Sequence, residues 1–355
     1  CGHHLFGTAS VAAGIAVKEW LASSGRAGTI RVYGTPAEEG GGGKIYMVRA
    51  GLFRDADVVL DWHPGASNDA GASPSLANKS GKFRFRGLSA HAAGAPWRGR
   101  SALDALEAMN HMVDMLREHV PDGTRIHYVI TDGGKAPNVV PDFAEGYYYV
   151  RHQDARIVNE VWDRVARAAE GAAIGTETKV ELEVVNGVYS LLVNETLARV
   201  VDANLRTVGG VTYTAEERAF AEKLQKTLGD GVPPVTAAAS IVPFSVATVA
   251  TGGSTDVGDV SWVVPNAGLN AATWVPGTPA HSWQAVAAGG MSIGHKGMAV
   301  AAKTLALTAY DLFNDAAVIQ KAKAELEQRR GPNFVYRPLI GDRSPPLDYR
   351  GKGGQ

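Results

Sequence analysis

Within its first sixty residues the chain switches hydrophobic period repeatedly, and that alternation limits the folds open to it. Apolar side chains recur at helical spacing over residues 7–21, and Gly25 is placed to end the helix. Residues 29–33 form a short β-branched run closed by Gly34, residues 44–52 are helical again, and residues 57–60 form a second apolar strand. The order α-β-α-β predicts a parallel sheet covered by helices. Such sheets bind ligands beyond the carboxyl ends of their strands. Glu38 and Glu39 follow the first strand and His63 follows the second, so the topology gathers groups that the sequence scatters.

The pattern changes at about Lys82. Phe83-Arg84-Phe85-Arg86 alternates, and a helix over 102–119, strands over 125–130 and 145–151, a helix over 155–169 and a strand over 179–185 follow. This β-α-β-β-α-β order is that of a ferredoxin-like unit. Helices over 194–206, 215–228 and 293–313 and a strand over 270–275 then restore the α/β character. At 355 residues the chain has room for about two domains. The expected fold class is α/β: a hydrolase domain with a central, mostly parallel sheet, built from residues 1–81 and 190–355 and interrupted by a ferredoxin-like lid over 82–189. The tail from Gly331, rich in Pro, Gly and Arg, is expected to lie extended on the surface or to fray. Position 1 is not Met and no strand precedes the first motif, so a truncated or processed amino terminus is expected.

Lys and Arg number 35 against 36 Asp and Glu, a net charge of -1, which leaves no global field to hold nucleic acid or an anionic membrane. A small molecule is the expected partner. A single cysteine excludes an intramolecular disulfide framework and points to the cytoplasm. The apolar stretch over 299–307 contains Lys303 and falls short of the roughly twenty residues a membrane span needs.

Cys1-Gly2-His3, Glu38-Glu39 and His63 offer a thiolate, imidazoles and carboxylates, a donor set for borderline-soft divalent metals. One carboxylate can bind metal while its neighbour handles a proton. Each residue also has a plainer reading: Cys1 as an idle terminal thiol, a lipoprotein cysteine or the nucleophile of an N-terminal-nucleophile amidohydrolase, Glu38-Glu39 as a solvated helix start, His63 as a buried strand-end histidine. The four glycines after the pair favour the catalytic reading, because they allow close backbone approach. Among later histidines, His281 follows a strand whereas His295 sits in a helical run. Neither a Gly-x-Ser-x-Gly elbow nor a Walker-type phosphate loop is present.

Eight motifs carry a resemblance across nearly the whole chain: Cys1-Gly2-His3, Thr35-Pro36-Ala37-Glu38-Glu39-Gly40, Trp62-His63-Pro64, Leu88-Ser89-Ala90-His91-Ala92-Ala93, Pro137-Asn138-Val139-Val140-Pro141, Gly253-Ser254-Thr255-Asp256-Val257, Ala280-His281-Ser282 and Tyr336-Arg337-Pro338-Leu339-Ile340. Together they resemble the M20 family of metallopeptidases and amidohydrolases, and within it the aminobenzoyl-glutamate utilization protein B group. The resemblance implies two divalent ions, Zn or Mn, held by Cys1, His3, Glu39, His63 and His281, with Glu38 as general base. It implies that His91 reaches across a dimer to polarise the scissile carbonyl, that Asn138 and Arg151 hold the substrate carboxylate, and that Asp256, in a Gly-rich loop with Asp259, orients a ligand histidine. Turn former, strand-end charge and loop cap are the plainer roles of Asn138, Arg151 and Asp256. His4 departs from the Asp that often follows Cys-Gly-His in related amidohydrolases.

The implied activity is metal-dependent cleavage of N-acyl amino acids, aminobenzoyl-glutamate or another aroyl-glutamate foremost, with dipeptides or other N-acyl amino acids as the alternative. The implied assembly is a homodimer through the lid, or a pairing with a homologous second subunit. Two rival readings are an N-terminal-nucleophile hydrolase using Cys1, whose antiparallel sandwich the α-β-α-β order disfavours, and an inactive family member acting as a scaffold.

Overall fold

The computed structural model describes residues 2–250 and 252–347; Cys1, the first expected metal ligand, lies outside them. The chain opens with α1 (His3–Ser24), closed by Gly25 in the left-handed region at φ 67°, then α2 (Gly43–Arg49) and β1 (Val59–Gly65). β2 (Ala77–Arg86), α3 (Ala102–Leu116), β3 (Arg125–Asp132), β4 (Phe143–His152), α4 (Ala155–Gly175) and β5 (Lys179–Val188) follow. The remainder is α5 (Glu195–Val208), α6 (Ala215–Gln225), α7 (Val257–Ser261), β6 (Asn266–Ala272), α8 (Trp283–Gly289), α9 (Ser292–Asn314) and α10 (Ala316–Arg330).

β1 and β6 pair in parallel, with His63 opposite Asn270. One core joins this pair to α1, α5 and α9: Trp62 and Leu269 from the strands meet Leu5, Ala9, Leu197, Val201, Ala301 and Leu305. By length and composition α1 could cross a membrane, yet its stripe of Leu5, Ala9, Ala13, Val17 and Leu21 is buried at helical spacing inside the protein.

The expected strand over 29–33 is corrected. These residues join no ladder among the described residues, and Ile30 and Val32 are 36% and 48% exposed. β-branched side chains favour extended backbone, but a strand also needs a neighbour to take its N–H and C=O groups.

The ferredoxin-like order is present as β2-α3-β3-β4-α4-β5, folded into an antiparallel sheet of order β3-β4-β2-β5. Period-two alternation gives the sheet two unlike faces. Phe83, Phe85, Tyr148 and Val150 pack against Leu106, Met109, Val158, Trp162 and Val165 from α3 and α4. The opposite face carries Asn78, Ser80, Lys82 and Arg84 of β2, in register with Arg151, Tyr149, Tyr147 and Glu145 of β4. Arg84 bridges Glu145 at 2.6 Å and Glu183 at 2.7 Å.

The tail is a strap. Leu339 and Ile340 are buried, and Arg343 Nη1 donates to the Val184 and Val185 carbonyls at 2.6 Å. Tyr336 Oη donates to Asp259 Oδ1 at 2.6 Å, and the Tyr189 N–H donates to Oδ2 at 3.0 Å. Asp259 therefore does not lie in an open loop: it is fully buried in α7. Burial, reinforced by nearby Asp256, pushes its carboxyl up to about 7.

Because the folded-state value lies above the ordinary value of about 3.9, stability from this group is complete below that pH and is lost as pH rises through 7. Asp259→Asn can accept from the Tyr189 N–H and donate to Tyr336 Oη. The expected outcome is a denaturant midpoint for the wild type that falls between pH 5 and 8, and a flatter profile for Asp259→Asn that lies above it at pH 8.

Candidate active site

The carboxyl end of β1 and the amino end of α1 are pinned together. Gly2 stands at φ 83°, and a Cβ there would lie 3.3 Å from the Pro64 ring, so only glycine brings the helix start this close to the residue after His63. The Phe6 ring lies 5.3 Å from the His3 ring and 5.1 Å from the His63 ring, holding both. His63 Nδ1–H donates to the Pro64 carbonyl at 2.6 Å, which leaves Nε2 as the lone-pair nitrogen.

Glu38 and Glu39 sit on a tight turn. The Gly41 and Gly42 N–H groups both donate to the Ala37 carbonyl at 2.8 Å, with Ala37 itself at φ 61°. A Cβ on Gly43 would come within 2.0 Å of the Pro36 carbonyl oxygen. The close approach that the glycine run permits is thus to the chain's own backbone, and it turns both carboxylates into one cleft.

His281 arrives from the other side of that cleft. It adopts φ 60°, immediately before Ser282, whose Oγ accepts from Ala285 N at 3.2 Å and caps α8. Left-handed backbone at a side chain larger than glycine is a strain that functional sites often carry.

His3 Nε2 is 3.2 Å and His281 Nε2 3.7 Å from Glu39 Oε1. Donor atoms of His3, Glu38 and Glu39 lie within 4.8 Å of one another. His3, Glu38, Glu39, His63 and His281 all line a single cleft of about 1940 Å³. Two imidazoles converging on one carboxylate, a third whose Nε2 makes no hydrogen bond among the described residues and a further carboxylate fit a divalent metal site. A cation there would displace the proton that His3 shares with Glu39. His295 lies on α9, outside the cleft. His4 Nε2 donates to the Gly289 carbonyl at 3.1 Å and ties α1 to α8.

Asp256 and Arg151 line the same cleft. Among the described residues Asp256 makes no hydrogen bond to a histidine. Its carboxylate accepts from Lys44 Nζ at 2.8 Å and Lys44 N at 2.9 Å, so it caps α2 from a distance. Arg151 stacks on Tyr149, 5.2 Å from the ring centroid, and Nη1 donates to Ser254 Oγ at 3.2 Å. Among the described residues its Nε is buried with no partner. Lys44, Ser254 and Phe6 were not evident as site residues. Lys44 and Asp256 lie 212 positions apart, so no spacing signal links them.

His91 and Asn138 do not line the cleft; they sit together elsewhere. His91 bridges Val139, the Ala92 N–H donates to the Asn138 carbonyl at 3.0 Å, and both residues are exposed. His91 Nδ1 accepts from the Ala93 and Gly94 N–H groups at 3.2 and 3.0 Å. That network assigns the ring proton to Nε2, which makes His91 an outward-facing donor.

Comparison with known proteins identifies the family. Residues 77–177 match the peptidase dimerisation domain of the M20 family. The chain is 42% identical to the B-type subunit of p-aminobenzoyl-glutamate hydrolase from Escherichia coli, over 92% of this chain and 73% of that one. It is 30% identical to the Xaa-Arg dipeptidase of Mus musculus, over 92% of this chain and 69% of that one. It is also 30% identical to the A-type subunit of the same Escherichia coli hydrolase, over 51% of this chain and 43% of that one. Among solved structures, the aminobenzoyl-glutamate utilization protein of Klebsiella pneumoniae aligns at 19% identity and a TM-score of 0.49, over 75% of this chain and 57% of that one. The chain belongs to the M20 family of metal-dependent peptidases and amidohydrolases.

Proposed function

We propose that this chain hydrolyses the amide bond of N-acyl amino acids bearing a free carboxylate, with p-aminobenzoyl-glutamate as the first candidate. The observation that carries this reading is the convergence of His3, Glu38, Glu39, His63 and His281 on one cleft whose wall presents the Arg151 guanidinium. The name of the relative at 42% identity supplies the acyl-glutamate. Dipeptides, named by the relative at 30% identity, share the free carboxylate and form the second substrate class to assay.

Two zinc or manganese ions, held by His3, Glu39, His63 and His281 with Cys1 as a further donor, would polarise the scissile carbonyl and acidify water. Glu38 takes a proton from the attacking water as the oxygen bonds to the carbonyl carbon. The C–N bond then breaks, and Glu38 returns the proton to the departing amine. Arg151 fixes the amino-acid carboxylate by charge-assisted hydrogen bonds.

His91 and Asn138 enter from another protomer in this reading. His91 Nε2–H donates to the developing oxyanion, and Asn138, on the adjoining loop, reaches the substrate beside it. Leu88, Trp97 and Val139 on these loops, and Val129 and Ile130 on the edge strand β3, are exposed apolar residues that a second protomer would cover. The partner is a second copy of this chain or a homologue of the A-type kind.

Glu38→Gln is expected to lower kcat by about 10²–10⁴-fold with KM little changed. Chelation is expected to abolish turnover, and zinc or manganese to restore it. Turnover that is indifferent to chelators would favour Cys1 as a nucleophile, and its absence in metal-loaded protein would favour a scaffold role. Mixing inactive His91→Ala and Glu38→Gln chains is expected to regain activity, because a mixed dimer contains one site with both wild-type groups; no recovery would place His91 outside the reaction.

A further inference from the structure

One polar side chain in the cleft has no task in the mechanism above. Asn78 is only 5% exposed, yet its Oδ1 has no hydrogen-bond partner, and no bond from its Nδ2 is made among the described residues. A buried amide left unpaired is costly and uncommon in a native fold. Asn78 lines the cleft and is the register partner of Arg151 across the β2–β4 ladder, which places the two side chains on the same face of the sheet. Arg151 repeats the anomaly, with a buried Nε–H that no acceptor among the described residues meets.

Two donors here are unengaged among the described residues, the Arg151 Nε–H and the Asn78 Nδ2–H, and the Asn78 amide, held by no bond at either atom, can present its N–H edge to a ligand. Arg151 is braced by Tyr149 and Ser254, so its direction is set before substrate arrives. An oxygen anion at the Arg151 fork lies beside the neighbouring strand, where a neutral amide donor stands unused. We infer that Asn78 is a specificity-determining residue: its Nδ2–H donates to the carboxylate held by Arg151, so that the cleft reads a carboxylate through one charged and one neutral donor. This rests on the acyl amino acid reading and adds to it a residue from the start of the antiparallel sheet.

The test is calorimetric titration of N-(4-aminobenzoyl)-glutamate into metal-loaded protein carrying Glu38→Gln, so that binding is read without turnover. Asn78→Leu, of similar size but without the amide, is expected to weaken binding about tenfold, and Asn78→Asp, which sets a second anion beside the ligand, to weaken it further. With the α-carboxamide of the same compound, the tenfold difference between the parent and Asn78→Leu is expected to vanish. Thermal unfolding separates a structural role: Asn78→Leu removes an unpaired buried amide, so its Tm is expected to match or exceed the parent's.

Unchanged affinity in Asn78→Leu, or an equal loss for carboxylate and carboxamide, overturns the inference alone. Tight carboxylate binding without hydrolysis by the wild type overturns the hydrolase reading and leaves Asn78 its role. A wild type that does not bind the acyl-glutamate overturns both.

Discussion

The buried ion pair between Lys44 and Asp256 is the fastening on which the site depends. Lys44 opens α2 directly after the glycine turn that aims Glu38 and Glu39, and Asp256 ends the loop whose Ser254 braces Arg151. One contact therefore registers the proposed chemical end of the cleft against its proposed substrate-binding end. Taking two charges out of water is expensive, and such a pair is weak evidence for stability. Its specificity is easier to account for: Asp256 satisfies the ammonium group and a helix N–H together, and an apolar pair of equal volume could do neither. Loss of either partner would strand the other charge in a buried site.

Backbone strain also gathers beside this cleft. Of the residues other than glycine that adopt positive φ among those described, Ala37, Glu177 and His281, the first precedes Glu38 and the last is itself a cleft residue. Both are held by their neighbours further along the chain: the Gly41 and Gly42 N–H groups converge on the Ala37 carbonyl, and the Ser282 cap locks the start of α8 after His281. The His-Ser dipeptide thus has a physical meaning, since the serine secures the helix that keeps the histidine in an unfavourable conformation.

How much of this was legible depends on how local each cause is. The antiparallel sheet reads well because Phe83-Arg84-Phe85-Arg86 alternates at the end of β2, and because α3 and α4 carry continuous apolar stripes. The segment over 29–33 misleads because propensity describes a single chain and a strand requires two. α10 goes unrecognised because only Ala322 and Leu326 of its fifteen residues are buried, too few to show a period. The family resemblance named His3, Glu39, His63 and His281 together, and the four line one cleft. The contact of Asp256 with Lys44 was not legible, because Lys44 is remote in sequence and ordinary in type. Asn78 gave no signal at all, because its interest lies in an unmet hydrogen bond.

The position of His91 bears on why a hydrolase would build its site from two chains. The Ala93 and Gly94 N–H groups go to Nδ1, so the exposed imidazole carries its donor hydrogen on Nε2. His91 does not line the cleft of its own chain. In the proposed reading it serves the cleft of another chain. Association through the antiparallel sheet would then cover exposed apolar side chains on β3 and its neighbouring loops while delivering the oxyanion donor, so that assembly and completion of the site are one event. A lone protomer would hold metal ligands and a carboxylate-reading wall but lack the donor that meets charge as it develops, and hydrolysis would be confined to the assembled form.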